Sequence, residues 1–209
     1  MKIVKAGYEI ITPIDREAIL RQIEEAGRTC YKSEDKITET SASAFVKMLI
    51  NRGHEAMIEH CGLSVKFICD RGVSHEIVRH RIASYAQEST RYCNYSKDKF
   101  GNEITVIEPY FWEKGSPEYK LWEAACLHAQ QAYFALLENG ATPEQARAVL
   151  PNSLKTEIIV TMNMRAWRHF FALRTSKEAH PQIREIARPL LAELQERLPE
   201  VFGDIVGNE

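Results

Sequence analysis

An arginine-rich stretch, residues 71–95, constrains this chain more than any other part of its sequence. It contains four arginines and two histidines but no lysine, in a chain of net charge −2. A guanidinium group is a planar fork that grips phosphate or carboxylate at two points, whereas lysine carries a mobile point charge. Short polar groups suited to hydrogen-bonding a flat ligand follow at Gln87, Glu88, Ser89 and Arg91. The stretch favours a site for an anionic small molecule over an exposed basic helix with surface ion pairs of little energetic value.

The apolar residues of this stretch predict a helix over residues 73–82. On such a helix Arg79 and Arg81 lie roughly 200° apart, because each residue advances by about 100°. Both arginines cannot then serve one small pocket on one face. Either one of them is solvated, or the helix lies between two binding surfaces, as it would at a subunit interface.

The order of these residues resembles the signature of a known enzyme family. Arg79-His80-Arg81, followed after seven residues by Ser89, is similar to the signature of the flavin-dependent thymidylate synthases, and Ser89-Thr90-Arg91-Tyr92 continues it. The resemblance extends roughly from His54 to His180. It implies FAD as cofactor, dUMP as substrate, 5,10-methylenetetrahydrofolate and NADPH as co-substrates, and a homotetramer with sites at subunit interfaces. It also implies methylation of the pyrimidine without an enzyme cysteine nucleophile.

The resemblance implies two sets of site residues. The residues implied for dUMP are Glu76, Arg79, Gln87, Glu88, Ser89, Arg91, Arg147 and Arg174. Those implied for FAD are His54, Ala56, Glu59, Arg79, His80, Arg81, Gln87, Asn163, Arg165 and His169. Arg174 is expected to be catalytic, because it would lie beside the uracil ring and stabilise negative charge at N3. Glu76 stands where some members have glutamine, and His169 where asparagine occurs.

A second basic cluster, residues 163–174, is interleaved with aromatic side chains. Arg165, Arg168 and His169 share roughly one face of a predicted helix. One interpretation is a surface helix whose aromatics face the core, and the other is stacking and phosphate contact for a large planar cofactor. The sequence has neither a Gly-x-Gly-x-x-Gly nor a Walker motif. The phosphates of a bound flavin would therefore be held by arginine and histidine side chains.

Other classes of function find less support in the residues. A zinc-protease helix needs histidines four positions apart, but Ile58 stands four residues after His54, so no metal site is predicted. A metal-dependent nucleotide phosphohydrolase is an alternative with poor ligand spacing. An RNA-binding module built on the two arginine–aromatic clusters is another. The near-neutral pI counts against a general nucleic-acid binder, so no nucleic-acid partner is expected.

The whole chain, residues 1–209, is predicted to form a single α+β domain with a small β-sheet flanked by helices. The hydrophobic fraction of 44% and the charged fraction of 27% are ordinary for a globular protein and argue against disorder. Five cysteines without close pairing indicate free thiols in a reducing compartment. No segment has the features of a signal peptide or the length of a membrane span. A cytoplasmic protein without membrane contact is expected.

Apolar periodicity and capping residues predict the individual elements. Strands are expected at 2–11, 63–67, 103–107 and 156–162. Helices are expected from Asp15 to about Ala26 with Gly27 closing the helix, and over 41–52, 116–139, 164–174 and 181–198, with a short one opened by a capping box at Thr142. The polar residues 95–102 predict a loop.

Overall fold

The computed structural model describes residues 1–97 and 100–207. Asp98 and Lys99, which belong to the predicted loop at 95–102, and the last two residues lie outside this description. The strands are β1 (Lys2–Val4), β2 (Gly7–Ile10), β3 (Gly62–Asp70), β4 (Ala83–Gln87), β5 (Thr105–Ile107) and β6 (Lys155–Asn163). The α-helices are α1 (Arg16–Tyr31), α2 (Ser41–Asn51), α3 (Arg71–Ile77), α4 (Pro117–Glu138), α5 (Pro143–Ala146), α6 (Met164–Arg174), α7 (Pro181–Arg197) and α8 (Pro199–Phe202). Short 3₁₀ helices occupy Glu34–Lys36, Glu55–His60 and Arg147–Val149.

The strands form two small sheets. β1 pairs in parallel with β5, and Lys2 lies opposite Thr105. The other sheet has the strand order β2-β3-β6-β4. Alternate side chains of β6, from Thr156 to Met162, are buried, which matches the two-residue period of a strand. The predicted α+β fold is confirmed, but the single strand predicted over 2–11 is wrong, because β1 and β2 belong to different sheets.

The chain divides into two compact units, each assembled from separate segments. The first comprises Met1–Gly7, Phe67–Arg79 and Ala86–Ile158, and the second comprises Tyr8–Lys66, His80–Tyr85 and Ile159–Glu209. The organisation of residues 1–209 as one domain stays a prediction. Among the helices of residues 1–97 and 100–207, none is both long and apolar enough to cross a membrane.

The first unit has its own apolar core, which α4 helps to cover. Cys126 and Tyr133 of α4 pack with Ile104, Val106 and Leu154, and all five are buried. The predicted start of α4 is confirmed, since the Ser116 side chain accepts a hydrogen bond from a backbone amide of the first turn. The predicted capping box at Thr142 is also present at the start of α5.

The second unit is organised around the aromatic side chains of α6. Trp167, Phe170 and Phe171 are fully buried, and Phe171 packs edge-on against Phe202 of α8. The indole nitrogen of Trp167 donates a 3.2 Å hydrogen bond to the carbonyl of Leu63. Of the two interpretations of residues 163–174, the structure supports the one in which the aromatics face the core. These rings do not form a stacking surface for a ligand.

Helix α1 extends beyond the end predicted for it. Gly27 does not close the helix but lies buried within it, where a Cβ would come within 2.6 Å of a ring carbon of Phe45. The helix continues to Tyr31 and is capped by Lys32, whose φ is +46°. The glycine therefore serves the close approach of α1 and α2 rather than a turn.

The helix predicted over 73–82 is also wrong in extent. Helix α3 begins at Arg71, two residues earlier than predicted, because the Asp70 side chain caps the amide of Val73 at 2.7 Å. It ends at Ile77, and the chain then turns into β4, which lies beside β6 in the sheet. Arg79 and Arg81 therefore do not share a helix, and the 200° separation argued from the sequence does not apply. Both are exposed on the connection between α3 and β4.

Candidate functional site

The amide of Gln87 is held in place within the first unit. Its Nε2 donates to the Ser74 hydroxyl at 2.8 Å and to the Thr156 hydroxyl at 3.3 Å. Both hydroxyl-bearing residues are buried. Ser74 and Thr156 were not identified from the sequence, because each lies in a different element and carries no local motif. With its nitrogen fixed, the Gln87 amide has a defined orientation.

Lys155 bridges two carboxylates beside the same segment. Its Nζ lies 3.3 Å from Glu88 and 2.6 Å from Glu157. Burial alone would lower the pKa of Lys155, but the hydrogen bonds and charges of the two glutamates outweigh it, and the pKa is raised. Lys155 therefore stays protonated and holds the Glu88 carboxylate. Lys155 was not identified from the sequence, where it is only a lysine at the start of a β-branched strand.

Two arginines of the first unit, Arg91 and Arg147, lie at the turn formed by Ser89–Arg91. The Arg91 guanidinium forms a 2.9 Å ion pair with Glu144 of α5. Nη1 of Arg147, which follows α5, donates to the Thr90 hydroxyl at 3.4 Å. Both arginines are exposed to solvent. The turn therefore presents two cations through which an anion could be bound.

A cavity of about 790 Å³ lies within the second unit, bounded by the 3₁₀ helix Glu55–His60, α6 and the residues after α8. A volume of this size is within the usual range of roughly 300–1,000 Å³ for ligand pockets. Its wall is formed by Glu55, Glu59, Arg81, Ile82, Asn163, Arg165, Ala166, Arg168, His169, Ala172, Asp204, Ile205 and Val206. Basic, amide and acidic groups all contribute to this wall.

Five residues that the resemblance implies for FAD lie in the cavity wall: Glu59, Arg81, Asn163, Arg165 and His169. His54, Ala56 and His80, which the structure also describes, lie in the second unit but outside this wall. The other two implied residues, Arg79 and Gln87, belong to the first unit. Of the residues implied for dUMP, Arg174 belongs to the second unit and the others to the first.

The two arginines on the α6 side of the cavity differ in their surroundings. Arg165 is 54% exposed and pairs with Glu59 at 2.5 Å. Arg168 is only 12% exposed, and its guanidinium contacts Glu55 at 2.9 Å and both carboxylate oxygens of Asp204. The hydrogen bonds from Arg168 lower the pKa of Asp204. Arg168 is therefore buried among its protein partners, whereas Arg165, although paired with Glu59, remains half exposed in the cavity wall.

His54 is held by a residue that the sequence did not single out. The Tyr31 hydroxyl and Nδ1 of His54 are 2.9 Å apart, and the two rings are stacked with centroids 6.4 Å apart. Tyr31 is the last residue of α1, which reaches this position because the helix continues past Gly27. A longer α1 thus places an aromatic hydroxyl beside His54.

Arg174, at the end of α6, is hydrogen-bonded to His80. Its Nε donates to Nε2 of the imidazole at 2.8 Å. His80 is 5% exposed, and its pKa is lowered to about 4 by burial, with a further contribution from the nearby charges of Arg174 and His169. The imidazole is therefore neutral at physiological pH. The Tyr85 hydroxyl donates to the backbone carbonyl of His80, which fixes the main chain at the same point.

The donors of the cavity fit a large anionic cofactor. Arg81, Arg165 and His169 supply positive or hydrogen-bonding groups, and the Asn163 side chain, which caps α6 through its oxygen, adds an amide. A flavin dinucleotide has two phosphates, and guanidinium groups bind phosphate at two points. The residues present therefore fit FAD without a glycine-rich phosphate loop.

Comparison with known proteins agrees with the resemblance found in the sequence. The family described as thymidylate synthase complementing protein matches residues 14–200. The flavin-dependent thymidylate synthase of Geobacter sulfurreducens is 35% identical over 186 residues, which cover 86% of this chain and 78% of that protein. The enzyme of the same name from Pyrococcus abyssi is 35% identical over 167 residues, or 79% of this chain and 68% of that protein.

The fold is shared with a solved structure. The UMP/dUMP methylase PolB from Streptomyces cacaoi, crystallised with 5-Br dUMP, superposes with a TM-score of 0.78. The match covers 97% of this chain and 96% of that chain at 23% sequence identity, so it speaks for the fold alone. Together with the family match over residues 14–200, the relatives confirm the family resemblance. The chain belongs to the flavin-dependent thymidylate synthase family.

Proposed function

We propose that this protein is a flavin-dependent thymidylate synthase that converts dUMP to dTMP. In this reaction 5,10-methylenetetrahydrofolate supplies the carbon, NADPH supplies the reducing equivalents, and tetrahydrofolate and NADP are released. The observation that carries the proposal is the arginine-containing cavity of the second unit in a chain of this family. Family membership gives no support to the RNA-binding alternative.

FAD is the proposed occupant of this cavity. Bound FAD would supply the hydride that completes the methyl group. The protein's part is to bind and orient the cofactor, and the residues proposed for this are Glu59, Arg81, Asn163, Arg165 and His169 in the wall, with His54, Ala56, Arg79 and Gln87 as further candidates. Arg165 and Arg81 are suited to the phosphates, since both are exposed and both carry permanent charge.

The dUMP site is proposed to use the polar turn of the first unit. The exposed cations Arg91 and Arg147 would bind the nucleotide phosphate. Gln87, whose amide is oriented by two hydroxyls, and Ser89 would hydrogen-bond the nucleoside. Glu76, Arg79 and Glu88 complete the proposed set.

Arg174 is the proposed catalytic residue. A guanidinium beside the uracil ring would stabilise negative charge that develops at N3, and such preorganised charge is worth about 10²–10³ in rate when a single donor is removed. Its Nε is already engaged with His80. No cysteine is required in this scheme, and Cys61, Cys69 and Cys126 are buried thiols whose pKa values are raised by burial.

We further propose that the protein assembles as a homotetramer in which neighbouring copies complete each site, and that it works in the cytoplasm. Support for the assembly comes from the exposure of Arg79, Arg81 and Ile82, of which Ile82 is 87% exposed. Side chains on such an exposed connection could reach a ligand held by another copy.

The proposal is tested by purifying the protein and recording its absorbance spectrum, then assaying dTMP by chromatography with each co-substrate omitted in turn. The expected result is a flavin spectrum, with dTMP formed only when dUMP, methylenetetrahydrofolate and NADPH are all present. A protein that neither contains nor binds FAD would refute the cofactor assignment. A flavoprotein that forms no dTMP would refute the reaction.

A further inference from the structure

The resemblance assigns His80 to FAD, but its ring has a different partner. It lies outside the cavity wall and accepts the Nε–H of Arg174 at 2.8 Å. We propose that His80 is a positioning residue for Arg174, holding the guanidinium in one orientation before dUMP binds. This inference rests on the proposed function, because it takes Arg174 to act on the nucleotide.

The surroundings of His80 explain why its ring can accept this hydrogen bond. The ring packs edge-on against Phe170, with centroids 4.9 Å apart, and against His169 at 6.0 Å. Burial and the charge of Arg174 both disfavour an imidazolium, as the lowered pKa of about 4 indicates. A neutral ring that accepts at Nε2 carries its proton on Nδ1. Helix α6 thus supplies the apolar packing of Phe170, the neighbouring ring of His169 and the arginine itself.

Orienting Arg174 in advance lowers the entropic cost of nucleotide binding. An arginine has several rotatable bonds, and ordering it on binding costs rotamer entropy. A hydrogen bond that already fixes the guanidinium removes part of that cost from the binding step. The loss of the acceptor should therefore weaken dUMP binding and slow turnover together, without loss of FAD.

Two substitutions of His80 distinguish the role of its hydrogen-bond acceptor from that of its aromatic ring. His80→Phe keeps an aromatic ring against Phe170 but removes the acceptor, whereas His80→Gln keeps an acceptor close to the Nε2 position without the ring. His80→Phe should bind dUMP on the order of tenfold more weakly, as expected for a lost hydrogen bond to a charged group, with FAD content unchanged. His80→Gln should recover most of the lost affinity. His128→Phe, at an exposed histidine of α4, is the control for a His-to-Phe change.

A double-mutant cycle on dUMP affinity tests whether His80 acts through Arg174. In an Arg174→Ala background, His80→Phe should cause no further loss. An additional loss equal to that seen in the wild-type background would overturn the proposal, as would loss of FAD from His80→Phe. The affinity for dUMP is measured separately from dTMP formation. A wild-type protein that binds dUMP but forms no dTMP would therefore refute the proposed function, while the effect of His80 on dUMP affinity could still be interpreted.

If His80→Phe fails to fold, ¹⁵N NMR of the histidine rings in the wild-type protein provides an independent measurement. The expected signal for His80 is a neutral ring with the proton on Nδ1 between pH 5 and 8. A ring protonated at Nε2 could not accept from Arg174, so that signal would overturn the proposal.

Discussion

Arg168 and Asp204 form a two-point ion pair in the wall of the second unit's cavity, with Nη1–Oδ1 and Nη2–Oδ2 distances of 2.6 and 2.7 Å. The same guanidinium donates to the Val201 carbonyl and, through Nε, to Glu55. Asp204 lies just after α8, and the following residues also line the cavity. Arg168 thus ties the C-terminal segment to α6 and shapes the cavity.

Asp204→Asn is expected to lower the free energy of unfolding by about 1–3 kcal/mol, because it leaves the mostly buried guanidinium of Arg168 with one of its two carboxylate partners, Glu55. FAD affinity should fall as well, since the pair with Arg168 holds in place the C-terminal residues Ile205 and Val206 that line the cavity. Urea denaturation and flavin titration measure the two effects. Glu17→Gln is a matched control in an exposed pair with Arg21 at 3.9 Å, where a change of no more than about 0.5 kcal/mol is expected. Equal effects from the two variants would contradict this role of Arg168.

The stability of the protein should depend on pH through Glu200. Burial raises the pKa of this carboxyl, but hydrogen bonds from Arg16 and Ser43 outweigh burial and bring the pKa down to about 2. Because the pKa is lower in the folded state, the stabilisation is present above the unfolded value of 4.5 and is lost as pH falls towards 2. Glu200→Gln should flatten the dependence of unfolding free energy on pH in that window. An unchanged slope would show that another carboxyl is responsible.

Arg174→Ala should reduce dTMP formation by at least about 10². The loss follows from the removal of the charge proposed to stabilise N3 of the pyrimidine. FAD content, measured by absorbance, should remain close to that of the wild type. Arg21→Ala, at an exposed arginine of α1, serves as the control for loss of a cation. Full turnover by Arg174→Ala would remove this residue from the mechanism.

The cysteines are expected to be dispensable for chemistry. Cys30 is exposed and Cys93 is partly buried, whereas the other three are buried. Cys93→Ala and Cys30→Ala should each retain dTMP formation within about twofold, since no thiolate attack on the pyrimidine is proposed. Loss of turnover in either variant with FAD still bound would indicate a cysteine nucleophile.

Local signals in the sequence predicted local structure well. The helix starts at Ser116 and Thr142 were correct because a cap is made by residues within one turn of each other. Gly27 was misjudged because its environment is set by Phe45, on another helix. The end of α3 was missed because the following residues enter a strand, and pairing with a distant strand overrides a helical pattern.

In the candidate site too, contacts within one helix were predictable from the sequence, whereas contacts between distant segments were not. Arg165 and His169 were predicted together because they are four residues apart on one helix. The partners of Arg168, by contrast, are 113 and 36 residues away in sequence, at Glu55 and Asp204. Lys155 and Tyr31 were likewise missed, since each contacts its partner only through the fold. Contacts of this kind leave no periodicity or motif that a single sequence reveals.

Transfer of the methylene carbon from the folate to the nucleotide tests the proposed reaction most directly. The purified protein is incubated with dUMP, NADPH and 5,10-methylenetetrahydrofolate labelled with ¹⁴C in the methylene group, and the nucleotides are separated. The label is expected to appear in dTMP only when NADPH and bound FAD are both present, and to be absent from dTMP in Arg174→Ala. Label that stays entirely with the folate while the wild-type protein is saturated with FAD would refute the proposed reaction.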